Sequence, residues 1–162
     1  MHKLKNNSGF TIIELLVVIA IIAILSTVVT MAVSSARVKG RDSGRVSDLK
    51  QVQNALELYQ VDNKSYPSTS GAWWGVCSGF GSHDITGPTG YIPDLAPLYI
   101  PKLPVDPKPI EPDGCYVYNS DGTDYMLLAY KTVEGTVPST LVRPSAPTEQ
   151  DYAFYTPGAS MW

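Results

Sequence analysis

The chain has 162 residues and a formal charge of −3, with two cysteines and two histidines. That length suits one modest domain plus an appended helix, and the mildly acidic balance excludes a broad electrostatic footprint for nucleic acid. Cys77 and Cys115, with His83 the only histidine beyond His2, are too few ligands for a cysteine-based metal site.

Residues 1–9 are short and polar, and carry Lys3 and Lys5. The next stretch is apolar: the nineteen residues from Leu15 to Val33 contain no charge, and only Ser26, Thr27 and Thr30 are polar. At ~1.5 Å per residue this helix is about 28 Å long, close to the ~30 Å hydrocarbon core of a bilayer. It is therefore expected to enter a membrane. An ordinary secretory signal cut near Ser34-Ser35-Ala36 fits less well, because such cores run about 7–15 residues and hold no acid. Glu14 is that acid. A charged carboxylate well inside a bilayer costs about 2.5 kcal/mol or more, so it either snorkels to the headgroups or has a partner. Orientation is contested, since Arg37, Lys39, Arg41 and Arg45 follow the span while only Lys3 and Lys5 precede it.

Helical character continues past the span. All thirteen prolines lie at or beyond Pro67, and Val46, Leu49, Val52, Leu56 and Tyr59 recur at the spacing of one helix face. Gly40 and Gly44 weaken or bend the helix between its halves. One long helix is expected from Gly9 to Asp62. Residues 67–114 are rich in Gly and Pro without sustained periodicity, and read as a long irregular loop with a helical turn at Leu95–Tyr99. Strand signals follow at Cys115–Tyr118 and Tyr125–Tyr130, joined by a stretch containing Asp121-Gly122. Tyr152–Tyr155 is a candidate for a further strand. The fold class is α+β, a long N-terminal helix with a membrane-embedded first half and a second half packed on a small antiparallel sheet. The expected divisions are a leader (1–9), a membrane or filament-core helix (10–36), its amphipathic continuation (37–66) and an extracytoplasmic domain (67–162).

Cys77 and Cys115 either form one disulfide in an exported domain or stay as two buried thiols. Asp121 and Asp124 are calcium candidates, or simply shape a turn. Trp73 and Trp74 supply core, or a stacking surface for carbohydrate or a partner. His83-Asp84 beside many serines is the one hint of catalysis, and a lone histidine in a Gly/Ser loop more simply faces solvent. Asn63-Lys64-Ser65 fits a glycosylation acceptor and equally a helix end. No phosphate loop or dinucleotide fingerprint is present, so no enzyme activity and no cofactor are expected.

The junction Gly9/Phe10, followed by Thr11-Ile12-Ile13-Glu14-Leu15-Leu16-Val17-Val18-Ile19-Ala20, resembles the prepilin signature of type IV pilins and type II secretion pseudopilins. The resemblance extends through Val46–Pro67 and through Tyr99-Ile100-Pro101-Lys102-Leu103-Pro104-Val105-Asp106-Pro107 to Tyr116-Val117-Tyr118, where it is to the major pseudopilins. It departs after Pro107, and the calcium loop of those pseudopilins has no counterpart that aligns. The resemblance implies cleavage after Gly9, methylation of Phe10, and pairing of Glu14 with the Phe10 amine of a neighbouring copy. It also implies a prepilin peptidase that methylates, an inner-membrane platform with its ATPase, and a homo-oligomeric filament at the cell surface or in the periplasm. The expected function is a structural subunit of a type IV pilus-like filament. A type II secretion pseudopilin is the neighbouring alternative, and a membrane-tethered adhesin that never polymerises is the alternative of another class.

Overall fold

The structure, a computed structural model, describes residues 10–162; the Gly9 side of the expected cleavage junction lies outside them. The chain forms two compact units, one ending at Arg37 and one spanning Val38–Trp162.

The proline-free N-terminal region folds as a single helix, α1 (Ile12–Asn63), assigned without a break through Gly40 and Gly44. It stops at Lys64, which adopts a left-handed conformation (φ 62°) usually taken by glycine. In the first unit every side chain from Phe10 to Arg37 is exposed. Its three hydroxyls bond back to the helix: Ser26 to the Ile22 carbonyl (2.7 Å), Thr27 to Ile24 (2.7 Å) and Thr30 to Ser26 (2.8 Å). These bonds leave the apolar surface without an unpaired hydroxyl proton, which is the condition for lying in hydrocarbon.

The second unit is built on four strands, β1 (Trp74–Gly75), β2 (Cys115–Ser120), β3 (Tyr125–Tyr130) and β4 (Tyr152–Tyr155). They form one antiparallel sheet in the order β1-β2-β3-β4. The turn between β2 and β3 is made by Asp121, whose Oδ1 accepts the amides of Thr123 (2.8 Å) and Asp124 (2.9 Å), and by Gly122 at φ 96°. On one face Tyr116, Tyr118, Tyr125, Leu127 and Ala129 pack against Leu49, Val52 and Leu56 of the helix. On the other, Val117, Met126 and Leu128 are buried with Ala153, Ala159 and the Cys77–Cys115 disulfide. Burial of both faces explains why the central strands read as near-continuous apolar runs rather than alternating ones. Buried tyrosines find acceptors: Tyr118 donates to the Pro67 carbonyl (2.9 Å), Tyr91 to Pro104 (3.0 Å) and Tyr116 to Asp48 (2.9 Å).

The long loop is less irregular than its composition implies. It contributes β1, paired to β2, and a single α-turn closed by the Tyr99 amide on the Leu95 carbonyl (3.0 Å). Two residues of strand carry no periodicity of their own; the edge of β2 dictates them.

Asp151, beside β4, is a buried carboxylate that the described residues only half satisfy. Its Oδ1 accepts the Lys131 amide (2.8 Å), while the buried Oδ2 has no protein partner. Burial, reinforced by the nearby Glu149 and opposed by that amide and by Arg143, pushes its carboxyl up to about 6. A carboxyl raised in the folded state stabilises most below its unfolded value, and that contribution is lost as pH rises through about 6. Denaturant unfolding of Asp151→Asn from pH 4 to 7 should show a flatter stability profile than the parent over this window. Identical profiles would show that Asp151 is ionised normally.

Candidate assembly site

Two groups of side chains on α1 carry the chemistry that the apolar surface does not. The first is at the helix start. Thr11 is its N-cap, the Thr11 carbonyl accepting the Leu15 amide (3.2 Å). Thr11 Oγ1 accepts the Glu14 amide (3.2 Å), and Glu14 Oε2 accepts both the Thr11 amide (2.9 Å) and the Thr11 hydroxyl (2.8 Å). This is a reciprocal capping box, Thr-x-x-Glu, with the carboxylate against the positive end of the helix dipole. Both bonds use Oε2; among the described residues Oε1 accepts none. Glu14 is therefore held at the helix start by its own chain, with one oxygen open. The cap could have been read from Thr11 and Glu14, three residues apart before an apolar run.

The second group lies in the folded domain. Arg45 has no exposed surface. Its Nε and Nη2 bind the two oxygens of Asp106 (2.8 and 2.9 Å), and its Nη1 binds Asp42 (2.7 Å) and, more distantly, Glu134 (3.4 Å). Glu134 in turn takes Arg41 through two bonds (2.5 and 2.7 Å) and Lys108 (2.8 Å). Asp42 also accepts the amides of Glu134 (3.2 Å) and Gly135 (2.7 Å). Three cations and three carboxylates thus tie one turn of α1 to the segments around Asp106 and Glu134. Burial works against the Arg45 charge, but the bonds to Asp106 and Asp42 outweigh it and hold the proton more tightly than usual. Arg41 and Lys108 hold the Glu134 carboxyl well below the ordinary range. Arg45 sits four residues before Leu49 and seven before Val52, on the core-facing stripe, which is the sequence signal for a buried charge.

The other candidates are dispersed. Asp121 is used by its turn, and Asp124 Oδ1 accepts the Thr156 hydroxyl (2.5 Å) and the Gly158 amide (3.2 Å). Among the described residues no three His, Cys, Asp or Glu side chains cluster as a metal site. The His83 ring stacks on Trp74 (centroids 4.1 Å, planes 12° apart), and Asp84 accepts from Thr89 (2.6 Å). Trp74 packs on the main core, and Trp73 lies beneath Arg143 on the far side of the sheet. Asn63 donates to the Tyr59 carbonyl and the Tyr99 hydroxyl (3.0 Å each).

Residues 4–33 match the family described as the prokaryotic N-terminal methylation motif. The chain is similar to the type II secretion system core protein G of Escherichia coli K12, 34% identical over 112 residues, which cover 66% of this chain and 70% of that protein. With core protein G of Klebsiella pneumoniae it is 30% identical over 78% of this chain and 77% of the relative. With the type IV wide pilus major component PilA4 of Thermus thermophilus it is 44% identical, over 43% of this chain and 53% of that protein. No solved structure matches.

Removing Arg45 leaves Asp106 buried without its bidentate partner, so Arg45→Ala should lower stability by about 3–5 kcal/mol in denaturant unfolding. The pair Arg45→Met with Asp106→Leu, which removes both charges and keeps volume, should cost much less than the two single losses summed. Additive losses would show that the ions do not act on each other.

Proposed function

We infer, because the chain belongs to the family of type II secretion pseudopilins and type IV pilins, that it is a structural filament subunit assembled through Phe10 and Glu14. The observation that supports the mechanism is the divided carboxylate of Glu14: Oε2 closes the helix start, and Oε1 accepts no bond among the described residues. Cleavage between Gly9 and Phe10 by a prepilin peptidase would place a new amine one residue before the N-cap. That amine and the positive helix end repel each other in one chain. Its release from this clash is a carboxylate supplied by the next copy, and the open Glu14 oxygen is suited to it.

In this reading residues 1–9 are removed and 10–36 form the membrane and later filament-core helix. Residues 37–66 continue that helix, and 67–162 complete a domain outside the cytoplasm, where its disulfide is stable. Arg41 and Arg45, which count against this orientation in the charge asymmetry, are taken up by Glu134, Asp42 and Asp106. An inner-membrane platform and its ATPase would drive assembly. A pilus-like surface filament is the first form of the proposal. A short pseudopilus is the second, favoured by the similarity to secretion core protein G, which runs well beyond the N-terminal helix.

Mass spectrometry of the mature protein should find an N-terminus at methylated Phe10, and Gly9→Val should accumulate uncut precursor. A mature end near Arg37 would overturn the reading. Glu14→Ala should be cut and stay in the membrane yet give few or no filaments by electron microscopy, since breaking a buried pair costs about 3–5 kcal/mol. Glu14→Gln separates the two roles of the residue: its amide oxygen still caps Thr11 but carries no charge. Filaments from Glu14→Gln at normal number would reduce Glu14 to a cap and refute the pairing.

A further inference from the structure

We propose that the cavity on the sheet face turned away from α1 binds a single neutral pyranose ring. The cavity is half open, about 240 Å³, and lined by Trp73, Phe80, Val117, Leu128, Tyr130 and Arg143. Val117 and Leu128, directly paired across β2 and β3, make a buried apolar floor. Phe80 and Tyr130 meet edge to face (5.5 Å, 85°), and the Arg143 guanidinium stands 5.4 Å from the Trp73 ring centre. All three aromatic residues are only partly buried, so the packing of the domain does not use up their surface.

The surroundings of this cavity select the ligand. Arg143 lies 3.7 Å from Glu149, and Lys131, 5.0 Å from the Tyr130 ring centre, lies 3.5 Å from Asp113. Arg143, the one charged residue of the lining, and Lys131 beside Tyr130 each have a carboxylate partner, so the surroundings offer an anion no free cation. Both pairs are long; Lys131 and Glu149 are exposed while Arg143 is largely covered, and pairs of this length add little strength of their own. Cations donate and carboxylates accept; a ligand that uses both must carry groups that do both, as hydroxyls do. An apolar aromatic bed beneath a rim of donors and acceptors matches a sugar ring, with a C–H face on one side and hydroxyls around its edge. An aromatic side chain would fill the floor and leave the rim unused. The volume is below the ~300–1,000 Å³ of sites for larger ligands, so it takes one ring.

The site is also held in shape. Arg143 Nε donates to Ser145 Oγ (3.0 Å) and to the Trp162 backbone oxygen (3.1 Å). The Cys77–Cys115 disulfide joins the segment carrying Trp73 and Phe80 to β2 beside the floor. Such preorganisation lowers the ordering cost of binding. The inference does not depend on the filament reading, and the two fail separately.

The test is a titration of the full chain, held in a non-glycosidic detergent, with the methyl pyranosides of glucose, galactose, mannose and N-acetylglucosamine. Tryptophan fluorescence is the readout. At least one should bind saturably with a millimolar Kd, about tenfold more weakly in Arg143→Gln and in Phe80→Ala. Raising salt from low to high should change Kd less than about twofold, as expected for a neutral ligand. Arg143→Gln leaves the aromatic bed intact, so the result stands even where Phe80→Ala fails to fold. Absence of saturable binding with all four, binding unaltered in Arg143→Gln, or binding of N-acetyltyrosine amide in place of the sugars would overturn the proposal.

Discussion

The apolar stretch from Leu15 to Val33 is the constraint from which the remaining features follow. Its side chains are exposed from Leu15 to Val33, and burying a large aliphatic side chain is worth about 1.5–3 kcal/mol relative to leaving it in water. A run of such residues has to be covered by lipid or by other copies. The polar groups of the first unit between Thr11 and Val33 are arranged accordingly. Its hydroxyls bond to their own backbone, and its one acid closes the first turn. What is left available is a hydrophobic cylinder with, among the described residues, one unpaired Glu14 carboxylate oxygen at its start.

The folded domain solves a different problem, since α1 continues into it with only one face to bury. Leu49, Val52 and Leu56 supply that face, and the turn before them is fixed by charge instead. Arg45 lies on the same stripe yet meets two carboxylates, one from its own helix and one from the segment around Asp106. A buried ion pair contributes little net stability compared with apolar packing, but it tolerates few alternative arrangements. Here it sets where two long connections cross the helix, which hydrophobic contact alone leaves loosely specified. The cavity behind the sheet depends on the same economy of short strands, because loops rather than a second sheet cover that side.

Much of this was legible in the residues. The absence of proline before Pro67 and the 3–4 spacing of Val46, Leu49, Val52 and Leu56 placed the helix to within a residue at its C-terminal end. The β2–β3 hairpin followed from Asp121-Gly122 between two aromatic-aliphatic runs. β1 was not legible, because two residues hold no period and their extended form is imposed by the edge they join. Arg45 and Asp106 were visible only as members of a basic cluster and a proline-rich loop, since pairing between residues 61 apart leaves no local trace. At Glu14 the acid is conspicuous for its place in an apolar run, and its bond to Thr11 is legible only as the three-residue capping spacing. The strongest signals were those that physics makes local; what long-range packing decides was hidden.

The pairing between copies is best tested by electron cryomicroscopy of assembled filaments at a resolution that shows side chains. The expected map has the methylated Phe10 amine of each subunit at about 3 Å from Glu14 Oε1 of a neighbour, with Oε2 still on Thr11. A map in which Glu14 contacts only its own Thr11, and the Phe10 amine meets another group or solvent, would contradict the assembly mechanism.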